Sequence, residues 1–439
     1  MENRGRARTV LLLAGLWVVL APARFVVAAD MPVAADMPVA ADMPVVADTP
    51  MARRLGLLKR TVRSFLSDDE TGDGRGRHLG PFAPRVELLS SGSGLAPMLH
   101  FWAPAIGGTP LDVHASAAYS MYGYQYYDLQ VGLVPHVGRH LPRVSWGTSA
   151  PFPLSDLERT AVVPGFDIYA SARYRDYPRE RFYGIGATSS RLDRTDYRMQ
   201  DGLYEGIVRF RIAPLSFMFR AGLLQTSIRP GTDSAFPDTG ISNDETTAPG
   251  LLRAPDFVHL SAGAWLELRD EPGNPHRGAS VGVAFSRLDD RLGNTYQFSR
   301  TLVDVREYMS LGSNRHVVAL RQVASLEEPD AGSRVPFYML STLGSGSFLR
   351  GYDSFRFRDE KLLALAGEYR FEVVPKVELA LIYETGKVFP TMSEFDLRHL
   401  LHSWGVGIRL KSLREVRLRL DVMHSAESTR VDVKFGPSF

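Results

Sequence analysis

The sequence predicts an all-β chain, a transmembrane antiparallel β-barrel of sixteen strands behind a short periplasmic segment. Three observations predict it. A short apolar leader opens the chain, and no later stretch reaches 18 uncharged apolar residues, the length at which a membrane-crossing helix becomes a candidate. From about residue 85 onward, segment after segment alternates apolar and charged side chains with a period of two.

In the leader, Arg4, Arg6 and Arg8 precede VLLLAGLWVVLA (10–21), and Val27-Ala28-Ala29 supplies small residues before Asp30. Residues 1–29 therefore read as a secretory signal peptide. The apolar run falls short of the roughly 20 residues that span a bilayer as a helix, so a retained anchor is the weaker alternative. The chain has no cysteine, which removes disulfide frameworks and thiolate chemistry and fits an oxidising compartment. Lys+Arg 51 against Asp+Glu 49 gives a formal charge of +2, so nothing in the totals points to nucleic acid as a partner.

Residues 30–84 divide into a spacer, a helix and a linker. AADMPV occurs at 28–33, 34–39 and 40–45, followed by a degenerate VADTPM, and a proline every sixth residue among small neighbours stays extended. Leu55, Leu58, Val62 and Leu66 then recur at helical spacing among Arg53, Arg54, Lys59, Arg60 and Arg63. This short basic amphipathic helix fits an anionic leaflet, a lumen plug or plain solvent. In DDETGDGRG (68–76), Asp69, Thr71, Asp73 and Gly74 imitate the start of a calcium loop, but the twelfth position, where a bidentate Glu belongs, is Gly80. The segment reads as a Gly-rich linker, and neither metal nor cofactor is expected.

Residues 85–439 read as the barrel. In 166–175, Phe166, Ile168, Ala170, Ala172 and Tyr174 oppose Asp167, Tyr169, Ser171, Arg173 and Arg175. In 258–269, Val258, Leu260, Ala262, Ala264, Leu266 and Leu268 oppose His259, Ser261, Gly263, Trp265, Glu267 and Arg269. In 215–223, Ser216, Met218, Arg220 and Gly222 form the polar face, and in 416–422 that face holds Arg417, Arg419 and Asp421. A soluble sandwich also alternates, but its strands usually run about five or six residues. These segments are nearer the 9–11 residues a tilted strand needs to cross a bilayer. Faces rich in Arg and Glu suit a wet lumen, since a lipid-facing Arg near the midplane costs about 2–4 kcal/mol. An open edge in hydrocarbon leaves backbone groups unpaired, so the sheet is expected to close.

Turn signals place strands near 278–290, 295–311, 314–324, 359–373, 377–388, 402–411, 414–424 and 429–439, upstream ones near 163–176, 195–212, 214–228 and 255–269, and four more within 85–135. An even total puts both ends on the periplasmic side. Connections then alternate short (Ala213-Pro214, Val374-Pro375) and long (229–254, 325–358).

One long loop breaks the pattern with GSGSFLRGYDSFRFRDE (344–360), in which Arg350 stands between Leu349 and Gly351-Tyr352. Alone, it reads as a solvated loop with a stray arginine. Other stretches agree with it in order: RFYGIG (181–186), LELRDEPGNPHRG (266–278, with Arg269, Asp270, Pro272, Asn274, Pro275 and Gly278), LALAGEYRF (363–371), YETGKVF (383–389), GVGIRL (405–410) and RLRLD (417–421). Together they resemble the BamA/TamA family of outer-membrane proteins, the bacterial surface antigen family, over roughly 85–439. The resemblance implies that the loop motif Leu349, Arg350, Gly351 and Tyr352 folds into the lumen, where the arginine pairs with acids on the two following strands. Alternation independently turns Glu368, Arg370 and Glu372 of the first strand and Glu378, Ile382 and Glu384 of the second toward the lumen, so Glu368 and Glu384 are the expected pairing acids. Where the family usually has Asp, this chain has Glu384. Each acid meeting a neighbouring lumen arginine is the plainer alternative.

The closing strand carries Val431, Val433, Phe435, Pro437 and Phe439 on one face and Asp432, Lys434, Gly436 and Ser438 on the other. Val431, Val433, Phe435 and Phe439 resemble the C-terminal signal by which outer-membrane barrels are recognised for assembly. Localisation in the bacterial outer membrane follows, with outer-membrane lipids as partners.

Members of the family that insert or secrete polypeptides carry POTRA domains, and residues 30–84 are expected to hold none. The expected function is an accessory role in inserting or translocating proteins or lipids, with a POTRA-bearing assembly protein or unfolded barrel substrates as partners. A passive porin-like channel with an Arg/Glu-lined lumen is the alternative. Catalysis is not expected. His259 and Ser261 share a face, but same-face neighbours on a strand lie roughly 6.5–7 Å apart, too far for nucleophile–base contact. His100, His114, His136, His140, His399 and His402 show no metal-ligand spacing.

Overall fold

The computed structural model describes residues 81–134, Leu154, Glu158, 164–344, 348–411 and 416–434. The signal peptide, the repeat spacer, the basic helix and nearly all of the linker lie outside the described residues, as do Phe435 and Phe439.

Sixteen strands form a single antiparallel sheet in which each strand pairs with its neighbours in the order of the chain. They are β1 (Phe82–Glu87), β2 (Ala96–Ala103), β3 (Asp112–Tyr119), β4 (Gln125–Leu133), β5 (Gly165–Phe182), β6 (Thr195–Ile212), β7 (Leu215–Pro230), β8 (Phe257–Glu267), β9 (Gly278–Asp290), β10 (Phe298–Leu311), β11 (Ser313–Pro329), β14 (Lys361–Val374), β15 (Val377–Phe389), β16 (Leu401–Lys411), β17 (Val416–Ser425) and β18 (Thr429–Lys434). A separate hairpin, β12 (Ser341–Leu343) with β13 (Phe357–Asp359), lies inside the β11–β14 connection. No helix among the described residues is long and apolar enough to cross a membrane.

The burial pattern is inverted relative to a water-soluble sheet. On β15, Leu379, Leu381 and Tyr383 stand 45–59% exposed, while Glu378, Ile382 and Glu384 are buried. On β5, Phe166, Ile168 and Tyr174 are exposed and Asp167 is buried. Large apolar side chains facing outward and paired charges facing inward are what hydrocarbon outside and a polar lumen inside select. The fold is that of a transmembrane β-barrel, and the sixteen strands stand near where the turn signals put them.

Two boundaries differ from the sequence reading. β1 begins at Phe82, ahead of the expected boundary at 85, because Pro84, which cannot donate to a ladder, is accommodated on an edge strand. β5 runs to Phe182 rather than stopping near 176, because the Pro178 region is absorbed as an irregularity between Tyr177 and Glu180 instead of ending the strand. Full closure of the sheet is not seen, since among the described residues no ladder joins β18 to β1.

Strand length is uneven around the sheet. β1 to β4 have six to nine residues, whereas β5, β6 and β7 have 16 to 18. At the external end of the long wall, Phe182, Tyr197, Phe257 and Phe298 pack with Ala248 and Leu251 of the β7–β8 loop and with Val335, Phe337, Tyr338, Met339 and Leu340 of the β11–β14 connection. The Phe337 ring sits 4.9 Å from both Phe182 and Tyr197, so the mouth on this side is covered by an apolar core rather than by a loose loop.

On the opposite side, the β8–β9 turn shows why its residue pattern is needed. Asp270 accepts hydrogen bonds from the backbone N–H groups of Glu271, His276 and Arg277 at 2.9, 3.0 and 3.2 Å. Gly278 has φ +98°, and a Cβ there would meet the Leu268 carbonyl oxygen at 2.2 Å.

Candidate functional site

The most charged and most deeply buried cluster lies where the β11–β14 connection turns down onto β14, β15, β16 and β17. Glu368, Glu384 and Asp421 all occupy inward positions, and their side chains are fully buried. The loop reaches them through Leu349, a left-handed residue with φ 55°. Such a backbone costs a β-carbon residue of order 1–3 kcal/mol, and here it is held because the Leu349 side chain is buried with Tyr308, Phe348, Tyr352, Phe357 and Val388. The turn is closed by the Tyr352 N–H donating to the Leu349 carbonyl at 2.9 Å.

That turn aims Arg350 into the cluster. Its Nε donates to Glu384 Oε1 at 2.6 Å, its own backbone N–H to Glu384 Oε2 at 2.7 Å, Nη1 to Asp421 Oδ2 at 2.6 Å and Nη2 to Glu368 Oε1 at 3.1 Å. The guanidinium fork is thus divided among carboxylates of three strands, a geometry a lysine cannot reproduce. Glu368 also meets Arg409 at 3.2 Å, Asp421 contacts Arg409 and lies 3.1 Å from Arg419, and Arg419 reaches Asp432 of β18 at 3.3 Å. One continuous set of ion pairs therefore runs from the loop to the last strand.

Gly351 has no room for a side chain. A Cβ would lie 2.8 Å from both the His424 carbonyl carbon and Ser403 Oγ. The Gly351 N–H donates to Ser403 Oγ at 2.9 Å, and its carbonyl accepts from Ser425 Oγ and Ser428 Oγ, each at 2.8 Å. Gly351→Ala is expected to lift the tip off β16 and β17 without touching any charge. Limited proteolysis should then cut within 341–360 several-fold faster, and cleavage at the wild-type rate would show that the contact is dispensable.

The structure brings Arg350, Glu368 and Glu384 together and adds Asp421. Sequence reading placed Asp421 on the polar face of 416–422 but gave it no partner, because nothing local separates a member of the network from an ordinary lumen residue. Ser403, Ser425 and Ser428 carried no signal at all. Tyr352 packs on Phe357, with ring centroids 5.3 Å apart. Val431 and Val433 are exposed on the outer face of β18, and their companions Phe435 and Phe439 are not described.

Two other predicted motifs meet this loop or the lumen wall. From RFYGIG, the Gly186 N–H donates to the Arg358 carbonyl at 2.8 Å, and Arg358 Nη2 returns a bond to the Arg181 carbonyl at 2.8 Å. In the β8–β9 region, Arg269 pairs with Glu267 at 2.5 Å and with Glu158 at 3.1 Å. Glu158 lies between β4 and β5 and also takes Arg306 of β10 at 2.5 Å, a contact no sequence spacing announced.

His259 and Ser261 go separate ways. Ser261 Oγ bonds Ser286 Oγ at 2.9 Å, while His259 Nε2 lies 3.5 Å from Glu205 Oε1. Among the described residues no group of three or more His, Asp or Glu is arranged to hold a metal ion. His100 Nδ1 pairs with Ser116 Oγ at 2.9 Å and His402 Nδ1 with Tyr383 Oη at 2.7 Å, whereas His136 and His140 lie outside the described residues.

Residues 233–422, the span that contains Arg350 and the three carboxylates it meets, match the Omp85 superfamily domain. Among solved structures, BamA from Haemophilus ducreyi lacking POTRA domains 1–3 superposes with a TM-score of 0.54 at 13% identity, covering 81% of this chain and 68% of that one. CdiB from Acinetobacter baumannii and CdiB from Escherichia coli give TM-scores of 0.43 and 0.44 at 10% and 12% identity, covering 78% and 82% of this chain and 57% and 60% of theirs. No curated protein sequence matches.

Proposed function

From the premise that this chain is a BamA/TamA-like β-barrel of the Omp85 superfamily, we propose that it serves protein or lipid insertion or translocation at the outer membrane, in an accessory role beside a POTRA-bearing assembly protein. One observation supports the reading: the external mouth is covered, while among the described residues no ladder joins the first and last strands. The apolar cap over β5–β10 and the Arg350 tip over β14–β17 both sit across the lumen, whereas the seam between β18 and β1 has no ladder among the described residues.

Strand length supports the same side. Six to nine residues at about 3.4 Å each, tilted by roughly 40°, give β1–β4 an apolar height of roughly 15–23 Å against the ~25 Å band of such barrels. A bilayer must thin to meet so short a wall, at a fraction of a kcal/mol per Å, which lowers the barrier to passage beside it. In this reading the POTRA-bearing partner recruits the substrate, with unfolded barrel chains as the substrate class. No catalytic group is assigned.

A passive Arg/Glu-lined channel is the second reading, favoured by the charged lumen wall alone. Two measurements separate them. In planar bilayers the wild-type protein is expected to show no large steady conductance, and a stable open channel would move the assignment to a porin. Affinity purification from native outer membranes is expected to bring down a POTRA-bearing protein, and its repeated absence would remove the accessory role.

A further inference from the structure

Below the apolar cap, the loop carries a second set of ion pairs that Arg350 does not use. Asp353, three residues past Arg350, is in contact with Arg430 of β18, accepts from Arg191 Nε of the β5–β6 loop at 3.0 Å, and has Arg181 of β5 at 3.6 Å. Arg356 pairs with Glu427 of the β17–β18 turn at 2.8 Å and donates to the Ser189 carbonyl of the β5–β6 loop at 2.5 Å. Arg191 Nη1 also donates to the Glu427 carbonyl at 3.2 Å.

These contacts join two places far apart in the sheet. In strand order, the path from β18 to β5 crosses the unladdered seam and then β1, β2, β3 and β4. Among the described residues the ladder to β17 holds β18 from one side, through six residue pairs. Among the described residues, its external end is tied beyond β17 by this carboxylate with the arginines around it, by Arg356 on Glu427, and by Ser428 Oγ on the Gly351 carbonyl.

Magnitude decides whether such pairs matter. A solvent-exposed ion pair contributes about 0–1 kcal/mol. Asp353 is a different case, since its side chain is 11% exposed and one carboxylate is shared by three guanidinium groups. Burial pushes its carboxyl up, but Arg430, Arg181 and Arg191 together hold it below the usual carboxylate range.

We infer that Asp353 and Arg356 are positioning residues that clasp the external end of the β17–β18 hairpin to the β5–β6 loop and so set how readily β18 swings away at the seam. The inference deepens the proposed function and rests on a seam that opens, yet it is measured without partner or substrate. The clasp shares no side chain with the Arg350 network, which fixes the loop to β14–β17 and reaches Asp432 of β18 through Arg419. Breaking the clasp loosens the external end of the hairpin and leaves the Arg350 contacts on β14–β17 intact.

The test is hydrogen exchange on the full chain in lipid nanodiscs, comparing wild type with Asp353→Asn, Arg430→Gln and Asp353→Glu. Loss of a shielded charged hydrogen bond should speed exchange across Thr429–Lys434 by about tenfold in the first two variants while β14 and β15 stay unchanged. Asp353→Glu, which keeps the charge, should restore most of the protection. Arg430→Gln sits at the rim and guards against a failure of Asp353→Asn to fold. Wild-type exchange in the folded variants, or no recovery with Asp353→Glu, overturns the clasp. If the clasp stands but no POTRA-bearing protein co-purifies, only the functional reading falls.

Discussion

Arg350→Ala is expected to cause the largest loss of any single substitution in the loop. Among the described residues Glu384 has no ion-pair partner besides Arg350, which reaches it through both Nε and the backbone N–H. Its side chain is fully buried, and removing one member of a buried pair typically costs about 3–5 kcal/mol because the other charge is left uncompensated. Glu368 and Asp421 fare better, since Arg409 contacts both and Arg419 supports Asp421. The cost therefore concentrates on Glu384, and the double variant Arg350→Ala/Glu384→Gln should recover part of it, a coupling that independent sites would not show. Arg350→Lys should fall between, because an ammonium can serve one or two carboxylates where the fork serves three. Heat-modified gel mobility reports the folded fraction, and limited proteolysis of 341–360 reports the loop. An Arg350→Ala protein that assembles fully with its loop equally protected would reduce the network to an incidental feature.

Much of this was legible before any coordinates, for a physical reason. Period-two alternation is local, so it survives in any stretch where one face meets lipid and the other a charged lumen. Segments such as 166–175 and 377–388 could therefore be assigned face by face from the sequence. The wall above the membrane was harder. Strands β5 to β7 continue past the apolar belt, and the apolar alternation of β5 breaks at Asp176, which is buried in a pair with Arg198 at 2.5 Å. A carboxylate two residues before Pro178 looks like a turn, and only the pairing with β6 keeps the strand going.

The site divides in the same way. Glu368 and Glu384 could be named because alternation gave their direction and the family resemblance gave their partner. Asp421 pointed the right way too, yet it sits in a run of inward charges where direction does not select one member. The clasp had no sequence signal: Asp353 and Arg430 are 77 residues apart, and Arg191 and Asp353 are 162 apart. Contacts of that span depend on how the sheet curls and on which loops then meet over its mouth, neither of which a local period encodes.

Leu381→Arg is expected to destabilise the protein in a bilayer although the side chain is among the most exposed on β15, at 59%. Its cross-strand partners are Tyr369 on β14 and Val406 on β16, both facing outward. On a water-soluble sheet, replacing so exposed a leucine with arginine would change stability by less than about 0.5 kcal/mol. Near the midplane of a bilayer the same change costs about 2–4 kcal/mol, falling to about 0–1 at the interfaces. The strand supplies its own reference, because Lys387 lies toward the external end of β15 and pairs with Asp396 at 2.6 Å, so a basic residue is already accommodated at rim depth. Urea unfolding in phospholipid vesicles should therefore show a clear loss for Leu381→Arg and little change for Lys387→Arg. Two results would remove the membrane from the account: equal stability of Leu381→Arg and wild type in vesicles, or a wild-type chain that stays monodisperse in buffer without detergent. Either would mean that the outward leucines and valines meet something other than hydrocarbon, and the inverted burial of strands such as β5 and β15 would then need a different solvent to explain it.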